Sequence, residues 1–236
     1  MIGEVEELLL PEGAEESRTV NCDSGGTLTV SYNETSDVID QLLSFRECIV
    51  TTDMYGSVLL NGTYEATITI SGESEADVNE AYNITGEVQE SNEPLQIKGT
   101  TDTNLATGLN NNPESFRLIN TIDVFEIKIG TDYAAITNAV TRINTTDTGM
   151  EFSLSGKVLG SAIGGYIDLS TPTPVEISDS QVCPTSGVIR IASEGSAEVR
   201  YGSSAGGTAS AVAVWIDGQV VESYSDCSAV GFTSGY

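Results

Sequence analysis

The side chains able to do chemistry in this sequence are four cysteines, three lysines and many carboxylates; histidine is absent. That inventory removes whole reaction classes. A serine or cysteine nucleophile needs a base, and without histidine neither a Ser-His-Asp nor a Cys-His system exists. A Ser-Lys pair has only Lys98, Lys128 and Lys157 to draw on. Three residues before them stand Leu95, Phe125 and Leu154, so none carries the S-x-x-K spacing. Paired carboxylates hydrolyse glycosides from either side of a sugar ring, but 35 acidic residues create close pairs by density alone. Sugar clefts also use aromatic platforms, and the chain has one Trp. The expectation is a protein that is not an enzyme, with no catalytic or cofactor-binding residue.

The cysteines are Cys22, Cys48, Cys183 and Cys227. None of them shows the CxxC spacing of a redox motif or a zinc site. Of the three connectivities that four cysteines allow, Cys22–Cys48 and Cys183–Cys227 each bracket a β-rich segment. These are the structural disulfides expected. Stable disulfides need an oxidising compartment, so the location expected is extracytoplasmic, in a periplasm or at the cell surface. The start MIGEVEELLL is acidic where a secretory signal is basic, which excludes an intact signal peptide. The longest apolar run, AVAVWI at 211–216, has the length of a strand. A bilayer needs about 18–20 apolar residues, so no transmembrane segment is expected.

Nine Lys and Arg against 35 Asp and Glu leave a formal charge of −26. Nucleic acid needs clustered cations, and the lysines lie far apart, so it is not expected as a partner. Self-repulsion on this scale is relieved by salt. Calcium is the ion that an oxygen-rich chain suits best. The run from Asp102 begins as a calcium loop does, with Asn104 in third place. It then departs: Ala106 is fifth, Gly108 is seventh and Pro113 replaces the bidentate acid, so there is no EF-hand. What remains is loosely bound calcium among Asp102, Asn104 and Asn110, with no other cofactor. Gly160-Ser-Ala-Ile-Gly-Gly lacks the Lys-Ser/Thr ending of a phosphate loop and reads as a turn. The sequons at Asn33, Asn61, Asn83 and Asn144 occur at about the frequency that composition alone produces.

The elements that carry these residues read as strands. Leu28, Val30 and Tyr32 alternate with Thr27, Thr29 and Ser31, the period of a half-buried strand. Similar stretches recur at 57–71, 82–90, 94–101, 115–129, 150–158, 164–177, 187–192, 197–201, 210–216 and 219–225. The fold class expected is all-β: a large antiparallel meander of hairpins forming a curved sheet, a sandwich or an open barrel, with at most one or two short helices. Helix has two outside chances, TSDVIDQLLSF (35–45) and TDYAAITNAVTRI (131–143), and the second also reads as a strand. Residues 1–21 read as an acidic leader, helical or unstructured. Residues 22–236 read as one disulfide-stapled domain, with the polar run 101–115 as its internal linker.

Two hairpins can be set in register from sequence. A three-residue turn at Ser193-Glu194-Gly195, with Gly195 left-handed, puts Ile189 opposite Val199, Arg190 opposite Glu198 and Ile191 opposite Ala197. In AVAVWIDGQVVESY, Asp217-Gly218 supplies a type I′ turn. Val212, Val214 and Ile216 then share a face with Val221, while Trp215 and Val220 lie on the other. Apolar residues on both faces predict a hairpin covered on both sides. The function expected is that of a non-enzymatic structural or interaction protein at the cell surface, with protein partners or self-assembly. The alternative is a carrier that shelters an apolar ligand against a curved sheet around Trp215.

Overall fold

A computed structural model describes residues 16–53, 55–109, 112, 114–146, 148–181 and 183–230. Fourteen strands follow one another: β1 (Glu16–Asn21), β2 (Thr27–Glu34), β3 (Val38–Thr52), β4 (Gly56–Ile70), β5 (Glu75–Val88), β6 (Glu93–Thr107), β7 (Phe116–Ile129), β8 (Asp132–Thr146), β9 (Gly149–Gly160), β10 (Gly165–Ser178), β11 (Pro184–Ala192), β12 (Ser196–Gly202), β13 (Val212–Ile216) and β14 (Gln219–Tyr224). They hydrogen-bond in sequence order, each to its chain neighbours, with β1 and β14 at the two ends. The fold is an all-β antiparallel meander whose sheet is open and not closed into a barrel. Among the described residues there is no α-helix, only short 3-10 turns such as Ser161–Ile163, which occupies the glycine-flanked turn after β9.

Neither outside chance of a helix is realised, as the all-β class allows. Residues 38–45 of the first segment lie in β3, and residues 132–143 of the second lie in β8. In β3 the reason is local and tertiary at once. Thr35 Oγ1 accepts the Val38 N–H at 3.2 Å, as a helix cap would, but Thr35 N–H also donates to Val38 O at 2.8 Å, which closes a hairpin turn. The chain then continues through Ile49, Val50, Thr51 and Thr52, β-branched residues that prefer a pleated surface. Leu43 pairs with Val30 on one side and Tyr64 on the other. Paired on both flanks, the backbone is satisfied as a strand. Residues 101–107, read as linker, belong to β6, and residues 16–21, read as leader, form β1. The rest of the leader lies outside the described residues.

The chain divides into two compact units. The first takes residues up to Thr103 with Ile122–Ala135 and Gly160–Ala162; the second takes Asn104–Thr121, Ile136–Leu159 and the residues from Ile163 onward. In the first unit, register gathers the buried side chains on one face. Val30 leads through Leu43 to Tyr64, two positions from buried Ala66 in β4, and Cys48 stands beyond a bulge opposite Leu60. Buried Val58 pairs with buried Val88, and Ile84 follows on the same side. The opposite face carries Ser17, Thr19, Thr29, Ser31, Asp40, Thr63, Thr67 and Asn83. The bulge is held by Glu47, whose φ is 50° and whose N–H donates to Asn61 Oδ1 at 2.8 Å in place of a ladder bond. Gly26, with φ at +73°, lets this backbone come close, because a Cβ there would overlap the Glu47 carbonyl.

The second unit has its core where β10 to β13 and the second disulfide meet. Val175, Cys183, Tyr201, Val212 and Cys227 are buried together, with Phe152, Ile177, Ile189 and Val199 packed against them. The register read from sequence for β11 and β12 is observed: Ile189↔Val199, Arg190↔Glu198 and Ile191↔Ala197, closed by Ala192↔Ser196. Gly195, however, is not left-handed. Its turn is held instead by Ser193 N–H to Gly195 O and by the Asp217 carboxylate, which accepts the Ser196 N–H at 2.8 Å. Asp217 and Gly218 have φ of 47° and 78°, as a type I′ turn requires. The next expectation fails at Val221. A bulge in β14 pairs Trp215 with Val220 and Val214 with Glu222, leaving Val221 as the extra residue. Nor is the hairpin covered at its tip: Ile216, Val220 and Val221 are about half exposed, at 50%, 51% and 50%.

Both disulfides form with the expected partners, closing sequence separations of 26 and 44 residues. On chain entropy they contribute about 3.5 and about 4 kcal/mol. Chemical denaturation of C22A/C48A and C183A/C227A variants should therefore show similar entropic losses, with the second variant losing more because both of its cysteines are buried, whereas Cys22 of the first is only half-buried. At Gly202, φ is +51° and a Cβ would overlap the Thr185 carbonyl. Gly202→Ala is expected to cost about 2–4 kcal/mol in the same measurement.

Candidate functional site

Two side-chain clusters stand out, one in each unit. In the first, Tyr64 of β4 and Tyr82 of β5 are a cross-strand pair with ring centroids 5.0 Å apart, and Phe125 of β7 meets Tyr82 edge-on at 5.2 Å. Glu80 lies two residues from Tyr82 and so on the same face. Its Oε1 accepts from the Tyr64 O–H at 2.7 Å and the Tyr82 O–H at 3.1 Å; its Oε2 accepts from the Thr101 O–H at 2.7 Å. Burial, and then the Glu80 hydrogen bond and charge, hold the Tyr64 phenol well above its ordinary range. Burial followed by the Glu80 charge pushes Tyr82 up to about 12. Phenols held neutral serve as donors rather than as bases or nucleophiles. The cluster rigidifies a half-buried face.

In the second unit, Arg190 of β11 stands opposite Glu198 of β12, which stands opposite Trp215 of β13. The Arg200 guanidinium lies 3.9 Å over the Trp215 ring and gives Glu198 Oε2 two hydrogen bonds, at 2.9 and 2.7 Å. Arg190 Nε reaches Glu198 Oε1 at 4.0 Å. Lys157 repeats the arrangement, 3.0 Å from Asp168 and 3.5 Å over the Tyr166 ring. These cations are spent on carboxylates and aromatic faces of their own chain. They form no basic surface. Trp215 Nε1 is buried with no hydrogen-bond partner among the described residues.

Of the residues expected to hold calcium loosely, Asp102 and Asn104 sit two apart on β6, and the Arg117 guanidinium donates to Asn104 Oδ1 at 3.4 Å. Asn110 lies outside the described residues. Among the described residues one group of three ligand-type side chains converges, Cys183, Asp226 and Cys227. Both of its sulfurs are consumed in a disulfide, so no thiolate is available to a metal. The Asp226 carboxyl lies below its ordinary range because it accepts hydrogen bonds from Ser228. In the first unit a depression of about 620 Å³ is rimmed by Asp53, Glu90, Glu93 and Asp132. These carboxylates do not converge at ligand distance.

No protein-family model matches the chain, and neither a curated protein nor a solved structure resembles it significantly. The chemistry of the molecule itself is therefore the guide to function. Sequence reasoning missed Tyr64 because only strand pairing brings it to Glu80, 16 residues on. The Glu80–Tyr82 spacing of two was the available signal.

The raised tyrosines give a pH test. Their folded pKa lies above the unfolded value, so their contribution is fully present below about pH 10. It is lost as pH rises toward Tyr82's value of about 12. Stability, followed by tyrosinate absorbance on alkaline unfolding, should thus fall steeply in this window. In the Y64F/Y82F variant the fall should be shallower.

Proposed function

We propose that the chain is a non-enzymatic structural or interaction protein acting outside the cytoplasm, at a cell surface, where it assembles with further copies or with protein partners. The observation that supports this reading best is the framework itself: fourteen strands paired in sequence order and stapled by two disulfides. Such a framework presents long ordered faces and edges. The disulfides favour an oxidising compartment. No helix among the described residues is long and apolar enough to cross a membrane. The clusters at Glu80 and Glu198 satisfy their own charges within the sheet, so they act as fastening rather than as recognition chemistry. A net charge of −26 suits a surface exposed to salt, where repulsion between copies is screened within about 8 Å.

Native mass spectrometry of protein taken from its host tests the reading. Multiples of the chain mass, or complexes with other proteins, are the expected result. A single copy carrying a small apolar molecule would overturn it in favour of a carrier.

A further inference from the structure

The hydrogen-bond order ends in β1 and β14, and each end leaves a row of backbone N–H and C=O groups with no strand partner among the described residues. Exposed edges of this kind are templates for another strand, and proteins commonly blunt them with Lys or Pro. Neither β1 (ESRTVN) nor β14 (QVVESY) contains either residue. The two edges have the same length, six residues each. β14 is exposed from Gln219 to Ser223, with Val220 and Val221 about half open to solvent.

Their side chains also match. Laid antiparallel with Glu222 opposite Arg18, beyond the bulge at Val221, the strands place Ser223 opposite Ser17. Arg18 is exposed and makes no ion pair among the described residues. Glu222 accepts the Tyr224 O–H through Oε2, which leaves Oε1 for a cation. The faces agree as well. Arg18 stands opposite buried Val30, and Glu222 stands opposite Val214, whose partner Val199 packs on the core of its unit. Ser17 already accepts from Ser31 at 3.1 Å, so Ser223 would extend an existing hydroxyl row.

We propose that β14 of one copy adds antiparallel to β1 of a second copy, with Glu222 facing Arg18, and that repetition of this joint builds a head-to-tail series of subunits. The joint is heterologous: each copy keeps one free edge of each kind, so the series ends in a ring or continues as a filament. This inference rests on the reading of the chain as a self-assembling structural protein and names the surface that assembles. A charge of −26 on each copy opposes it. That repulsion acts over about 30 Å at 0.01 M salt and about 8 Å at 0.15 M. A contact pair inside a strand joint is screened much less. Assembly should therefore need physiological salt.

Analytical ultracentrifugation of the full chain provides the test, with R18E, E222R, the double reversal R18E/E222R, and oxidative cross-linking of S17C/S223C. At about 0.15 M salt the unmodified chain should form a concentration-dependent series of multiples that dissolves to single copies at about 0.01 M. Each single reversal should weaken association about fivefold, and the double reversal should restore it. S17C/S223C, whose charged edges are intact, should give a covalent ladder, since directly opposed Cβ atoms lie within about 5.5 Å. Assembly that ignores the reversals and yields no ladder would overturn the joint while leaving self-assembly standing through another surface. A single copy under every condition would overturn both.

Discussion

Cross-strand pairing between sequence neighbours is the interaction on which everything else in this protein depends. With each strand bonded to the one before and the one after, the backbone ladder satisfies the main chain without any distant element. Once register is set, the pleat sends alternate residues to opposite faces, and a slip of one residue would exchange those faces completely. The buried residues Val30, Cys48, Val58, Ile84 and Val88 therefore share one side of the first unit, and hydroxyls and carboxylates line the other. The side chains that end up fully buried are small. Among the described residues, Val212 and Cys48 are the largest. With cores of this kind, the disulfides carry a substantial share of the constraint on the unfolded chain.

Charge is handled by the same lattice. An acidic surplus of this size would be costly if carboxylates faced one another, so those on the inner rows are given donors. Glu80 receives three hydroxyls, and Glu198 receives Arg200 with Arg190 beside it. The cations in turn cover aromatic rings, Arg200 over Trp215 and Lys157 over Tyr166. Each cluster arises from i, i+2 spacing along one strand combined with a partner directly across. The clusters are polar fastening within a sheet.

Departures from regular pairing do as much as the pairing. The bulge at Glu47 brings Cys48 to the buried face, where it reaches Cys22, and Gly26 of the β1–β2 turn and Asn61 of β4 support that bulge. The bulge in β14 turns Val221 out of pairing and leaves an exposed, short edge. One irregularity helps to close a disulfide and the other shapes an edge.

By itself the sequence determined the fold class, both disulfide pairings, the register of β11 with β12 and the Asp217-Gly218 turn. All of these rest on short-range information: period-two alternation, turn residues with a required φ, and cysteines bracketing strand-rich segments. Tertiary structure decided what local pattern leaves ambiguous. Residues 35–45 and 131–143 left helix and strand both open, and strand partners on both flanks made 38–45 and 132–143 extended, as they did residues 101–107. The bulges at Glu47 and Val221 came from pairing too, because an extra residue is visible only against the strand it fails to match. So did the meeting of Tyr64 with Glu80 and of Arg200 with Trp215. Period and turn chemistry are written along the chain, whereas a cross-strand neighbour exists only after register has been chosen.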